Sequence, residues 1–168
     1  MEGFQSFEIP ASPSCQFSLV VAYSQIAVFQ SSLENPFNEW TDRHVAQGFA
    51  WRPGSVSFGT LDGDGQISVR VQVTSHFTPS PSAVRVIQVP FRVRSDRTIE
   101  IATTTNSMKV ELDEGEYLLV FEHGRGVEGR MWANFWFTHG TGAAAILSAD
   151  PEISPDAELL MNAQPAAA

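Results

Sequence analysis

The sequence predicts an all-β protein: an antiparallel β-sandwich with one short α-helix, at about residues 42–48, packed against it. Three observations carry this. Apolar and polar residues alternate with period two along most of the chain. Clusters of Gly, Pro, Asn and Asp separate the alternating stretches at short intervals. Only the segment around Thr41–Gly48 has the end signals of a helix. A chain of 168 residues suffices for one domain with one sizeable core. We expect an N-terminal arm over 1–14, the sandwich over 15–150, and an acidic, Ala/Pro-containing tail over 151–168.

Taken in order, Pro10 and Pro13 interrupt any regular pattern in the arm. Phe17, Leu19, Val21 and Tyr23 then alternate with smaller residues as a strand. Ile26, Val28 and Gln30 either continue it past a bulge near Ser24–Gln25 or start a second strand. Asn35-Pro36 turns the chain and keeps Asn35 out of a helix. Thr41 has the side chain of an N-cap, and Asp42 follows where the helix dipole favours an acid. Trp40 and Val45 have the spacing of a hydrophobic staple, and Gly48 that of the C′ residue. Val45, Ala46 and Phe49 are expected to face inward, because so short a helix needs a sheet to lie on.

From residue 52 onward the pattern is strand. Pro53-Gly54 precedes Val56 and Phe58, and Asp62-Gly63-Asp64-Gly65 reads as a hairpin turn into Ile67–Val73. Ile87, Val89, Phe91 and Val93 alternate with Gln88, Pro90, Arg92 and Arg94. Pro90 cannot donate to a ladder, which puts that strand at an edge or a bulge. Ile99 and Ile101, then Met108–Leu112, form shorter strands, and Asp113-Glu114-Gly115 turns into Tyr117–Glu122. Met131–Thr138 is apolar on both faces, as a central strand should be. Ala144–Leu147 gives a last strand. No stretch repeats with a period of 20–50 residues, which excludes propellers and solenoids.

The net charge is −9, and from Asp150 onward there are four acids and no base. An acidic body repels phosphates, so direct nucleic-acid binding is not expected, whereas a basic partner is favoured. The single cysteine, Cys15, allows no internal disulfide. The N-terminus lacks the basic-then-apolar pattern of a signal peptide, and no apolar run is long enough to span a bilayer. A cytoplasmic location without membrane insertion is the expectation.

Chemistry-bearing patterns are few. Leu61–Ile67 resembles part of a calcium loop. Placing Gly65 on the loop glycine, however, puts Thr60 at the first ligand position and Val71 where a bidentate Glu is needed. His44, His76, His123 and His139 have no metal-binding spacing, and no GxSxG elbow is present. We expect no cofactor and no catalysis. Arg85, Arg92, Arg94 and Arg97 form a basic ribbon that reads as protection of an edge strand. Trp132 and Trp136 share a strand face, either as core or as a sugar-binding platform. The acidic loop with Glu34, Glu39 and Asp42 around Phe37 and Trp40 has the makings of an interface. The two aromatics either anchor a partner or fold inward as the staple.

The segments YSQIAVFQ (23–30), EWTDRHVAQGFA (39–50) and SVSFGT (55–60) resemble the competence protein J family. VIQVPFRV (86–93) and LDEGEYLLVFE (112–122) are similar to its later strands, so that most of 17–122 is covered. The resemblance implies a small cytoplasmic inhibitor that binds and blocks a DNA nuclease of competence. An immunity protein paired with a toxin nuclease would use the same logic. It assigns no inhibitory residues. From the charge pattern, Glu34, Phe37, Glu39 and Asp42 are the expected nuclease-binding residues, with the acids entering a basic cleft. The alternative is a sandwich that binds a small ligand, sugar or calcium, through Trp132, Trp136, Asp62 and Asp64.

Overall fold

The inward-facing residues of the alternating stretches meet between two packed sheets in the computed structural model, which describes residues 8–9, 14–155 and 158–167. The strands are β1 (Glu8–Ile9), β2 (Ser14–Val21), β3 (Gln25–Gln30), β4 (Phe49–Arg52), β5 (Ser55–Gly59) and β6 (Gly65–Val73). They continue with β7 (Arg85–Val93), β8 (Thr98–Ala102), β9 (Ser107–Glu111), β10 (Gly115–Arg125), β11 (Met131–His139) and β12 (Ala145–Ser148). The helix α1 (Asp42–Gln47) lies between β3 and β4. Sheet I has the order β1-β9-β8-β3-β5-β4, and sheet II the order β12-β7-β10-β11-β6-β2. The fold class is the one expected, an all-β sandwich whose strands pair mostly antiparallel.

Two pairings are parallel, β1 with β9 and β6 with β11. The second lies inside sheet II, with Val71 opposite Phe135. Parallel neighbours need a long connection, and β7 to β10 provide it. As expected, β11 is flanked on both sides. Pro90 sits where β12 no longer covers β7, since that pairing involves only Val86–Gln88. The free Pro90 carbonyl accepts the Trp51 indole N–H at 2.7 Å.

Ile26, Val28 and Phe58 of sheet I pack against Ile87, Phe121 and Phe135 of sheet II, all fully buried. The Phe58 and Phe121 rings stack across the seam with centroids 4.5 Å apart. Burying each such side chain is worth about 1.5–3 kcal/mol, so this seam holds the layers together.

Several turns act differently from the sequence expectation. Near Ser24 the chain does not bulge but changes sheet, because β2 belongs to sheet II and β3 to sheet I. Tyr23 and Ser24 make that turn with φ of 61° and 56°. Asp62–Gly65 is not a hairpin turn either: it carries the chain from β5 in sheet I to β6 in sheet II. Asp-Gly chemistry makes a tight reversal possible but does not choose the sheet of the next strand. The two crossings are tied together by Ser24 N–H to Gly63 O and Thr60 N–H to Ser24 O, both 3.0 Å.

The helix has the expected caps, and Phe49 is buried as expected, but the inner face departs from expectation at Val45. The Thr41 hydroxyl accepts from His44 N–H at 3.3 Å, and His44 Nδ1 accepts from Thr41 N–H at 3.1 Å, completing a capping box. Gly48, at φ 86°, closes the last turn, and a Cβ there would lie 3.0 Å from Ile87 Cδ1. Val45, expected inside, is 59% exposed, while His44 and Gln47 are buried. The cause is what lies beneath the helix. Gln47 clamps a passing strand of chain, donating to Leu160 O (3.0 Å) and accepting from Leu160 N–H (2.8 Å).

That passing strand belongs to the segment read as a tail. Far from hanging free, Ile153 is buried in the core, and Leu159 and Met161 pack on it. Ser154 N–H bonds to Ala46 O, Ala163 N–H to Trp51 O, Glu39 N–H to Gln164 O and Ala166 N–H to Phe37 O. Among the described residues, no helix is long and apolar enough to cross a membrane.

Candidate interaction surface

The loop 31–39 is held from below. Asn38, buried, donates to Ala50 O at 2.8 Å and accepts from Arg52 Nε at 2.7 Å, and the Arg52 guanidinium also reaches Asn35 O. On this frame Glu34, Glu39 and Asp42 are all exposed. Glu39 and Asp42 flank the helix start, and Glu34 stands on the other side of the Asn35-Pro36 turn. Phe37 is half-buried instead, edge-on to Phe29 at 5.6 Å in a small cluster with Ala27 and Ala102 outside the main core. Its ring is committed to the fold, and the three acids are the members of the expected set open to a partner.

A second feature escaped the sequence reading. At the end of the sandwich where β2 turns into β3, a groove of about 640 Å³ opens between the Tyr23–Ser24 turn, Trp40, Val45 and Leu61. Tyr23 is 82% exposed. Arg85 forms part of the floor and is itself buried. It grips Asp150 through Nε (2.6 Å) and Nη2 (2.8 Å), donates to Gly59 O at 2.7 Å, and reaches Glu152 at 3.1 Å. Burial alone would raise the Asp150 pKa, but the Arg85 hydrogen bonds and charge hold it below the usual carboxylate value. Beside this pair, His123 is fully buried. Nε2 accepts from Leu61 N–H at 2.9 Å and Nδ1 donates to Trp132 O at 2.7 Å. That arrangement requires a neutral ring, and desolvation brings its pKa down to about 4. Five separate segments meet here, so no local pattern announced the groove.

Trp132 and Trp136 lie half-buried on the outer face of sheet II, not in the core. They do not form an open pair. Trp136 donates to the buried carboxylate of Glu122 at 2.8 Å and is covered edge-on by Phe77 at 5.7 Å. Asn134 donates to the same Glu122 oxygen at 3.1 Å, and the other oxygen takes Ser80 N–H, which pins the loop after β6 to the sheet. Trp132 packs closely against Gly124, where a Cβ would come within 2.8 Å of its ring.

The arginine ribbon also dissolves into separate pairings. Arg85 is buried with Asp150, Arg92 pairs with Glu116 at 2.6 Å and Arg97 with Asp113 at 2.9 Å. In the calcium-like turn, the Asp62 carboxylate is occupied by Arg125 at 2.7 Å. Among the described residues, no three His, Cys, Asp or Glu side chains gather as a metal would require. Cys15 is part of β2, and burial pushes its thiol pKa up, away from nucleophilic character.

Comparison with known proteins agrees with the fold. The profile of the family described as competence protein J (ComJ) matches residues 18–138. The crystal structure of ComJ from Bacillus subtilis, described as an inhibitor of the DNA-degrading activity of NucA, superposes with a TM-score of 0.67. It is 22% identical, with 75% of this chain and 96% of that chain covered. A protein described as crocagin biosynthetic gene J matches with a TM-score of 0.51 and 14% identity, covering 73% of this chain and 96% of that one. No curated protein sequence matches. With the profile spanning well over half of its length, this chain belongs to the competence protein J family.

Proposed function

We propose that this protein is a non-catalytic inhibitor that binds a DNA nuclease, laying an acidic surface against the basic cleft that normally holds DNA. The observation that carries the reading is the family match over 18–138, joined to a structural neighbour described as an inhibitor of NucA. The charge supports it. At −9 the protein is itself a polyanion, and Glu34, Glu39 and Asp42 stand exposed around one rigid loop. Opposite charge speeds the encounter and is screened by salt. The sugar-binding alternative needs two open indole faces, and Trp136 is already covered by Phe77.

The test is a DNA-degradation assay with purified protein against the nuclease encoded beside its gene and against Bacillus subtilis NucA. Inhibition should be stoichiometric, should weaken as salt rises, and should weaken further when Glu34, Glu39 and Asp42 are replaced together by Ala. Absence of inhibition of either nuclease at low salt would reject the function. Inhibition unaltered by the triple substitution would reject the acidic loop as its site.

A further inference from the structure

We infer that the groove at the end of the sandwich, with Tyr23 as its anchor, is the apolar centre of the nuclease-binding surface. This rests on the inhibitor reading above and adds to it the residues that give grip rather than attraction.

The first observation is a strained turn that carries a large aromatic side chain outside the core. Tyr23 and Ser24 both have positive φ, 61° and 56°. Gly or Asn fits that conformation more easily than a large aromatic, which there costs on the order of 1 kcal/mol. The turn serves the crossing from β2 to β3, but Tyr23 is 82% exposed, so its side chain is not spent on the core. Strain held in place by the surroundings while the side chain points to solvent is the pattern of a binding residue.

The second observation is independent and lies on the other wall. Val45 occupies the helix position that would close a staple over Trp40, yet it is 59% exposed. Tyr23, Trp40, Val45 and Leu61 thus line one open depression of about 640 Å³. The base is stiff, because Arg85 fastens Gly59 and Asp150 to it and Gly48 is wedged against Ile87 and Ile153. A preformed surface loses little conformational freedom when a partner docks.

Charge selects the partner. Glu39 adjoins Trp40 in sequence, Asp42 precedes Val45 by less than one helical turn, and Glu152, 65% exposed, lies on the rim. The Arg85 charge in the floor is neutralised by Asp150. An aromatic and aliphatic centre with an acidic rim has the anatomy of a protein interface hot spot. It is complementary to the lip of a phosphate-binding cleft, where an apolar side chain is flanked by Lys or Arg. Free DNA would be repelled by the same rim.

The experiment compares Tyr23→Asn, Val45→Ser and, as a control, Leu147→Ser in the same inhibition assay. Leu147 is an exposed aliphatic side chain on β12 that does not line the groove. The first two should each weaken inhibition about tenfold or more without lowering the Tm, and the control should leave it unchanged. Tyr23→Asn should keep the salt dependence of the wild type, because it removes no charge. Wild-type inhibition with undiminished potency in both groove variants would overturn the groove while leaving the inhibitor reading intact. A wild type that inhibits neither nuclease would overturn both.

Discussion

Acidification should expose the cost of keeping His123 neutral. The ring is fully buried and accepts Leu61 N–H on Nε2, so a proton added there would face another N–H in a dry site. Its pKa falls from an ordinary 6.5 to about 4. Because the folded value lies below the unfolded one, the unfolded chain takes up the proton first as pH drops. Stability is therefore whole above about pH 6.5, declines by one proton's worth per pH step below it, and has lost the full amount near pH 4. Two and a half pH steps at 1.36 kcal/mol each amount to about 3 kcal/mol. For a chain of this size that is a fall in Tm of roughly 6–12 °C. His44, whose pKa is also lowered, first by burial, should add a smaller fall in the same window. The assay is urea unfolding from pH 7 to 4.5 for the wild type and His123→Gln, with the ring proton followed by NMR. The variant should show a slope flatter by close to one proton. Equal slopes, or a His123 midpoint near 6.5, would refute the reasoning.

Three further substitutions test how residues 150–160 are fastened. Asp150→Ala leaves the buried Arg85 with only the exposed Glu152 carboxylate at 3.1 Å and should destabilise by about 3 kcal/mol in chemical denaturation. Glu152→Ala, at a 65% exposed carboxylate, should cost well under 1 kcal/mol in the same measurement. Gln47→Ala removes the clamp on both backbone groups of Leu160 and should destabilise by roughly 2–4 kcal/mol. It should also make amides near residue 160 exchange faster with solvent than the rest of the protein.

How far the sequence was legible depends on which physical signal was local. Period-two alternation named nearly every strand, and for Met131–Thr138 it even identified a central one, because both faces of that strand must meet something large. Alternation states which side faces inward but not which sheet owns the strand. The turns at Tyr23–Ser24 and Asp62–Gly65 were therefore readable as turns and not as crossings. The helix caps at Thr41 and Gly48 were explicit, being local chemistry. Its inner face was legible only in part, since Gln47 faces a segment more than a hundred residues away. The C-terminal segment is attached largely through backbone hydrogen bonds, which leave no trace in composition. The acids of the surface could be seen one by one, whereas the groove exists only once five segments have converged.

The stitching of residues 153–166 over the helix and the loop 37–39 also bears on when the protein becomes itself. Asn38 bridges to Pro165, and Glu39 is held by Gln164, so contacts between distant parts of the chain complete the very region that would face a partner. Such long-range closures are slow, because chain entropy must be lost before any contact forms. During synthesis the helix and its acidic approach are made well before residues 153–166 and lack that backing until the later segment emerges. That segment thus acts as a latch, made about a hundred residues after the surface it supports. Until it docks, the helix and the acidic loop lack support on that side.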